Sequence, residues 1–233
     1  MRLFLGFLIG LLIAGAIAVT AVKVAWGDLS DIGDRDRGED VTKTVEVADF
    51  DRIEIAGVFE LDVTVGGDAY SVTLSGREGD LARTTAEVRE GELVLDTHER
   101  DASGKRRLIK HGITATVRMP ALNAIDAAGV VDGKATGVNS ENFSADISGV
   151  GELELEGSCG ALDADVSGVG ELDAEGLQCR SVKIDVSGVG EAKVYASESV
   201  DAEIAGIGKI EISGSPESVS KNNSSPFGRI SVK

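Results

Sequence analysis

The chain has 233 residues and a formal net charge of −17, with 40 acidic against 23 basic side chains. That balance disfavours nucleic acid held by phosphate neutralisation, and equally any broad attraction to anionic lipid. Hydrophobic residues make up 42%, yet only six Phe, two Tyr and one Trp supply aromatic bulk and 30 glycines punctuate the rest, so one domain with a Val, Ile, Leu and Ala core and many turns is expected, not two.

Residues Leu3 to Val22 run apolar without a charge, long enough at the helical rise to cross a bilayer's hydrocarbon. Lys23 and Trp26 follow as interfacial residues do. Residues 1–26 therefore read as a transmembrane anchor or as a cleavable signal peptide, for which Ala16 with Ala18, or Val19 with Ala21, supplies small residues at a cleavage site. Either reading exports the remainder to the cell envelope, periplasmic or surface-exposed. From Gly27 to Thr42 the chain is polar and acidic, with Asp28, Asp31, Asp34, Asp36, Glu39 and Asp40 against Arg35 and Arg37. This stretch is expected to be a flexible stalk, with the folded domain spanning 43–233.

An internal repeat organises most of that domain. Ser148-Gly149-Val150-Gly151 recurs at Ser167-Gly168-Val169-Gly170 and Ser187-Gly188-Val189-Gly190, and more loosely at Ala205-Gly206-Ile207-Gly208. Ala128-Gly129-Val130-Val131 and Ser225-Pro226-Phe227-Gly228 extend the series, keeping a period of about 20 residues. Ala56-Gly57-Val58-Phe59 is a partial copy outside that spacing. Each tetrad is flanked by period-two alternation, such as Leu162, Ala164 and Val166 before it and Leu172 with Ala174 after it. Two strands, each with one buried face, meet at a glycine corner.

A period this short fits one turn of a β-solenoid and is too short for a helix pair or a propeller blade. The expected fold is all-β, a single-stranded parallel β-helix over residues 123–233 whose equivalent residues stack in columns. Gly129, Gly149, Gly151, Gly168, Gly170, Gly188, Gly190, Gly206 and Gly208 are the structural corner residues, where stacked corners leave little room and positive φ is often needed. An antiparallel sandwich is the alternative, but it would not require the same residue at the same place in each repeat. Residues 64–122 do not repeat and are expected to close the N-terminal end, since an open solenoid end exposes strand edges.

The order Phe50-Asp51-Arg52-Ile53-Glu54-Ile55-Ala56-Gly57, Gly91 to Leu95, Met119-Pro120-Ala121-Leu122, the Ser-Gly-x-Gly tetrads and Gly214-Ser215-Pro216 resembles the bacterial family of auto-transporter adhesins with a head GIN domain. The resemblance covers Val45 to the C-terminus and implies a right-handed parallel β-helix, an envelope location and an adhesive role. This chain departs from the family pattern in having Val150, Val169 and Val189 where Ser is common, and Glu152, Glu171 and Glu191 where Asp is common.

Catalytic signatures are missing from the sequence. His98 and His111 stand in no metal-ligand or triad spacing and read as surface or loop residues, while the basic run Lys105, Arg106, Arg107, Lys110 and His111 reads as a solvated hairpin loop. No G-x-S-x-G elbow, P-loop or dinucleotide fingerprint is present, and no cofactor is expected. Asp126, Asp146, Asp165, Asp185 and Glu203 each precede their tetrad by two residues and point outward by parity. Such a ladder is either a hydrated face or a weak divalent-cation site, neighbouring charges repelling by only about 0.9 kcal/mol in water. Cys159 and Cys179 each lie seven residues before an equivalent core residue, Val166 or Val186. They should share a column, as a disulfide between adjacent coils or as a pair of buried thiols.

Anchor, stalk and solenoid suggest a non-enzymatic envelope binding or adhesion module for an unknown protein or glycan. The alternatives are an envelope scaffold or signalling accessory without external ligand and, third, a carbohydrate-active β-helix enzyme, for which aromatic stacking surfaces are lacking. Oligomeric state is left open.

Overall fold

In the computed structural model the described residues are 39–97, 99, 100, 106, 107 and 111–233. The expected anchor or signal segment with Trp26, the stalk as far as residue 38, His98, Lys105 and Lys110 lie outside them. Among the described residues no helix is long and apolar enough to cross a membrane.

Alternating buried and exposed side chains make nearly every segment a strand. The central coils are carried by β11 (Val130–Ile147), β12 (Val150–Val166), β13 (Val169–Val186) and β14 (Val189–Ile204), each paired in parallel with the next. β15 (Ile207–Ser213), β16 (Ser218–Asn223) and β17 (Gly228–Val232) complete the C-terminal end. The result is a parallel β-solenoid.

Each coil has three faces, where the sequence suggested two strands and a corner. In β11 the buried residues are Val131, Gly133 and Ala135, then Val138 and Ser140, then Phe143, Ala145 and Ile147. Alternation breaks between these groups, and the β11–β12 register shifts between Ala135 and Val138. The third break is the glycine corner. Period-two patterning identifies the flanking faces readily but loses the middle one, which is only a few residues long.

Leu153, Leu172 and Ile210 stack on one face and Ile147, Val166, Val186 and Ile204 on another, all essentially buried. Each such aliphatic residue contributes roughly 1.5–3 kcal/mol by leaving water. Aliphatic columns suit a coil spacing of about 4.8 Å because β-branched chains interlock along the axis without the bulk of aromatic rings.

At the N-terminal end, stacking order departs from chain order. β2 (Arg52–Ala56) and β3 (Val58–Val65) form a coil beneath β10 (Ala124–Ala127) and β11. The chain then leaves the stack, and β6 (Glu92–Asp96) and β9 (Ile113–Met119) return below β2 and β3, again in parallel. The copy Ala56-Gly57-Val58-Phe59 is thus a full member of the corner stack, displaced in sequence because residues 66–121 are inserted after its coil. That insertion also ends the parallel order. β4 (Ser71–Arg77) pairs antiparallel with β9, and β5 (Thr85–Arg89) antiparallel with β6.

Strand β1 (Asp40–Val45) adds antiparallel to β4. Asp40, Val41 and Thr42, assigned to the stalk from composition, therefore belong to the sheet. The Thr42 and Ser75 hydroxyls lie 3.0 Å apart, and Val41 and Val45 pack against the core. Polar composition concealed this because an edge strand needs few apolar residues.

Candidate functional site

The tetrads form one corner of the solenoid. The Val150, Val169, Val189 and Ile207 N–H groups donate to the carbonyls of Gly129, Gly149, Gly168 and Gly188, at 2.9–3.0 Å. A Cβ on Gly168 would run into the Gly149 carbonyl oxygen, and the same holds down the column from Gly129 to Gly206. Close approach of stacked backbones selects glycine here. Positive φ, expected from sequence, is confined among the corner glycines to Gly151 (φ 153°).

Beyond the corner, outward residues form three columns. In the first, Val130, Val150, Val169, Val189 and Ile207 are 41–53% exposed and Phe227 is 72% exposed. Val58 pairs with Val130 at its other end. Parity could have revealed this column, since Val150 lies on the same side of its strand as Glu152 and Glu154. The second column runs Glu60, Asp132, Glu152, Glu171, Glu191, Lys209, Arg229. With the valines it borders an open groove of about 770 Å³ whose lining includes Gly151 and Gly170.

The third column mixes charges, two lysines among four acids: Asp62, Lys134, Glu154, Asp173, Lys193, Glu211. Lys134 Nζ reaches Glu156 at 2.7 Å and Glu154 at 3.0 Å, and Lys193 Nζ reaches Glu171 at 2.5 Å and Asp173 at 3.3 Å. These hydrogen bonds hold both lysines above the usual lysine range, while Glu156, bonded to Lys134, and Glu211, bonded to Lys209 and Lys233, fall below the usual carboxylate range. Asp132 and Glu152 have no cationic partner among the described residues.

The ladder on the strand before the corner is different. Glu54, Asp126, Asp146, Asp165, Asp185 and Glu203 stack in register without an intervening cation. Partial burial, and secondarily the neighbouring carboxylates, push Asp126, Asp146 and Asp185 upward. Asp126 Oδ1 is buried without a hydrogen-bond partner, so the ladder is less hydrated than parity alone implied. Among the described residues, no group of three or more His, Cys, Asp or Glu is placed to hold a metal ion.

Cys159 and Cys179 pair in register on the middle face and are joined in a disulfide, with Cα atoms 4.4 Å apart. Of the basic run, Arg106–Arg107 pairs antiparallel with Glu99–Arg100 in a short ribbon. His111 is exposed in the loop before β9, as expected, and its Nδ1 lies 3.0 Å from Oδ2 of the buried Asp80. Asp80 sits in a helical turn at Glu78–Leu81, an interaction across 31 residues that sequence reasoning missed.

Stacked coils that repeat one side-chain type along a corner define a class of all-β proteins whose outer surface is a set of columns. The chain belongs to the family described as "Putative auto-transporter adhesin, head GIN domain", whose profile matches residues 49–216. Its fold is similar to that of a putative adhesin from Bacteroides fragilis, 24% identical, covering 86% of this chain and 100% of that one, with a TM-score of 0.67. A putative lipid binding protein from Parabacteroides distasonis is more distant, at 20% identity, 84% and 98% coverage and a TM-score of 0.45. A putative adhesin from the same organism gives 17% identity, 85% and 98% coverage and a TM-score of 0.43. No curated protein matches the sequence.

Proposed function

We propose that this protein is a non-enzymatic binding module of the cell envelope, exported and tethered by its apolar N-terminal segment, with right-handed coils presenting a ligand surface. The observation that carries this reading is the corner itself, which exposes valine or isoleucine from five successive coils beside a column of carboxylates. Soluble surfaces seldom keep so regular an apolar line without a partner. Membership of an adhesin-named family points the same way.

The test uses the full chain in zwitterionic nanodiscs against a panel of purified envelope glycans and envelope proteins, with binding read by interferometry and the glycans recovered for mass analysis. Saturable binding to one class, with the ligand returned unchanged, is the expected result. Turnover of a glycan would overturn it in favour of a β-helix enzyme.

A further inference from the structure

The geometry points to a cationic amphipathic α-helix of a partner protein as the occupant of the corner groove, lying along the solenoid axis with apolar side chains on the valine column and Lys or Arg on the adjacent carboxylates. This inference rests on the binding-module reading and specifies its site and partner.

Spacing favours a helix over an extended peptide. From Val58 to Phe227 the column has one residue per coil, about 4.8 Å apart, and spans roughly 29 Å. A helix rises about 4.5–6 Å between residues three or four apart on one face, so each turn meets one coil, and about 19 residues cover the column. An extended peptide along the axis would present same-face side chains about 6.8 Å apart and fall out of step.

Charge favours a basic flank on that helix. The column two residues from the valines along each strand is acidic from Glu60 to Glu191 and turns basic at Lys209 and Arg229, so a helix seated on the valines has its basic flank over Glu171, Glu152 and Asp132, the last two without a cationic partner among the described residues. Helix-in-groove recognition has this form, an apolar stripe for affinity and a flanking charge for orientation.

Area argues against a second copy of the chain. A strip of about 29 Å by 10 Å is roughly 300 Å², far less than the about 800 Å² per partner of a stable protein interface, but suited to one helix about 10 Å wide.

The experiment uses the full chain in zwitterionic nanodiscs and a fluorescent Leu/Lys peptide of about 19 residues with leucines at helical spacing. An isomer of the same composition with the stripe scrambled is the control. The striped peptide is expected to bind at least ten-fold more tightly than its isomer, with a marked decline in added salt. Val169→Ser and Glu152→Gln, both at exposed positions, should each weaken it about five-fold or more without lowering the unfolding temperature. A benzoylphenylalanine replacing Val169 should crosslink to the peptide's leucine face, and one replacing Asp201 should not. Equal affinity for both isomers, or equal crosslinking from both positions, overturns the inference. Crosslinks from position 169 to nanodisc lipid instead of peptide overturn it in favour of a lipid surface. Failure of the peptide while a panel ligand still binds removes this inference alone, whereas turnover of a panel glycan removes the binding-module reading.

Discussion

Two outward columns of this solenoid share one geometry and differ in sequence. On the strand after the corner, Lys134 and Lys193 are interleaved with Asp62, Glu154, Asp173 and Glu211. On the strand before it, Glu54, Asp126, Asp146, Asp165, Asp185 and Glu203 stack with no cation between them. In-register stacking amplifies whatever charge pattern the repeat carries, because each residue meets its counterpart about 4.8 Å away in both directions. One column is partly neutralised by its two lysines. The other is a line of carboxylates, three of which hold their protons more tightly in the folded protein than in the unfolded chain.

The corner forces both columns into register, so breaking it has the largest expected effect. Gly168→Val should destabilise the fold by at least about 3 kcal/mol, through overlap with the Gly149 backbone. Thermal unfolding measures it, and a loss no greater than that of Asp165→Ala would sink the steric account.

The disulfide comes next. Cys159→Ala with Cys179→Ala, 20 residues apart in the chain, should cost about 3 kcal/mol if the loop-entropy account holds. Chemical denaturation at fixed pH, with and without reductant, gives the number for the parent chain. A midpoint insensitive to reductant would show that the stacked columns hold those coils in register unaided.

The two columns themselves should respond with opposite sign. Lys193→Gln is expected to lower stability by about 1 kcal/mol at neutral pH, more at low salt, since it leaves Glu171 and Asp173 without their shared cation. Asp146→Asn should raise it by less than about 1 kcal/mol, because it removes a charge repelled on both sides. Their pH dependences differ as well. The raised carboxyls of Asp126, Asp146 and Asp185 bind protons more readily in the folded state. Their contribution is fully present below the ordinary aspartate range and is lost as pH rises through the folded values. Glu156 and Glu211 are lowered, so what they contribute is present above the ordinary glutamate range and is lost as pH falls through their folded values. Stability should therefore climb as pH drops from neutral and decline again in stronger acid. Asp146→Asn should flatten the climb alone. A midpoint that falls steadily from neutral to acid pH in the parent chain would refute the assignment.

Much of this was legible in the residues. The period, the corner, the carboxylate ladder and the shared column of Cys159 and Cys179 follow from identity and parity, since a solenoid turns a sequence repeat directly into a spatial one. Parity also places Val150 and Val169 outside, although family resemblance drew attention only to their difference from Ser. The pairing of His111 with Asp80 was not legible, because both lie in the insertion, where no period relates one residue to another.

The sequence by itself determined the local rules: which residues alternate, where glycine must stand, and that successive tetrads are equivalent. Only the tertiary structure decided the order of coils at the N-terminal end, where β6 and β9 slip beneath strands that precede them in the chain. It also decided which lysine falls between which acids and how far Asp126 is desolvated. The reason is physical. Alternation and glycine corners act over a few residues and are written in neighbouring letters, whereas charge neutralisation and burial depend on residues about 20 or more positions away, whose proximity exists only after the coils have stacked.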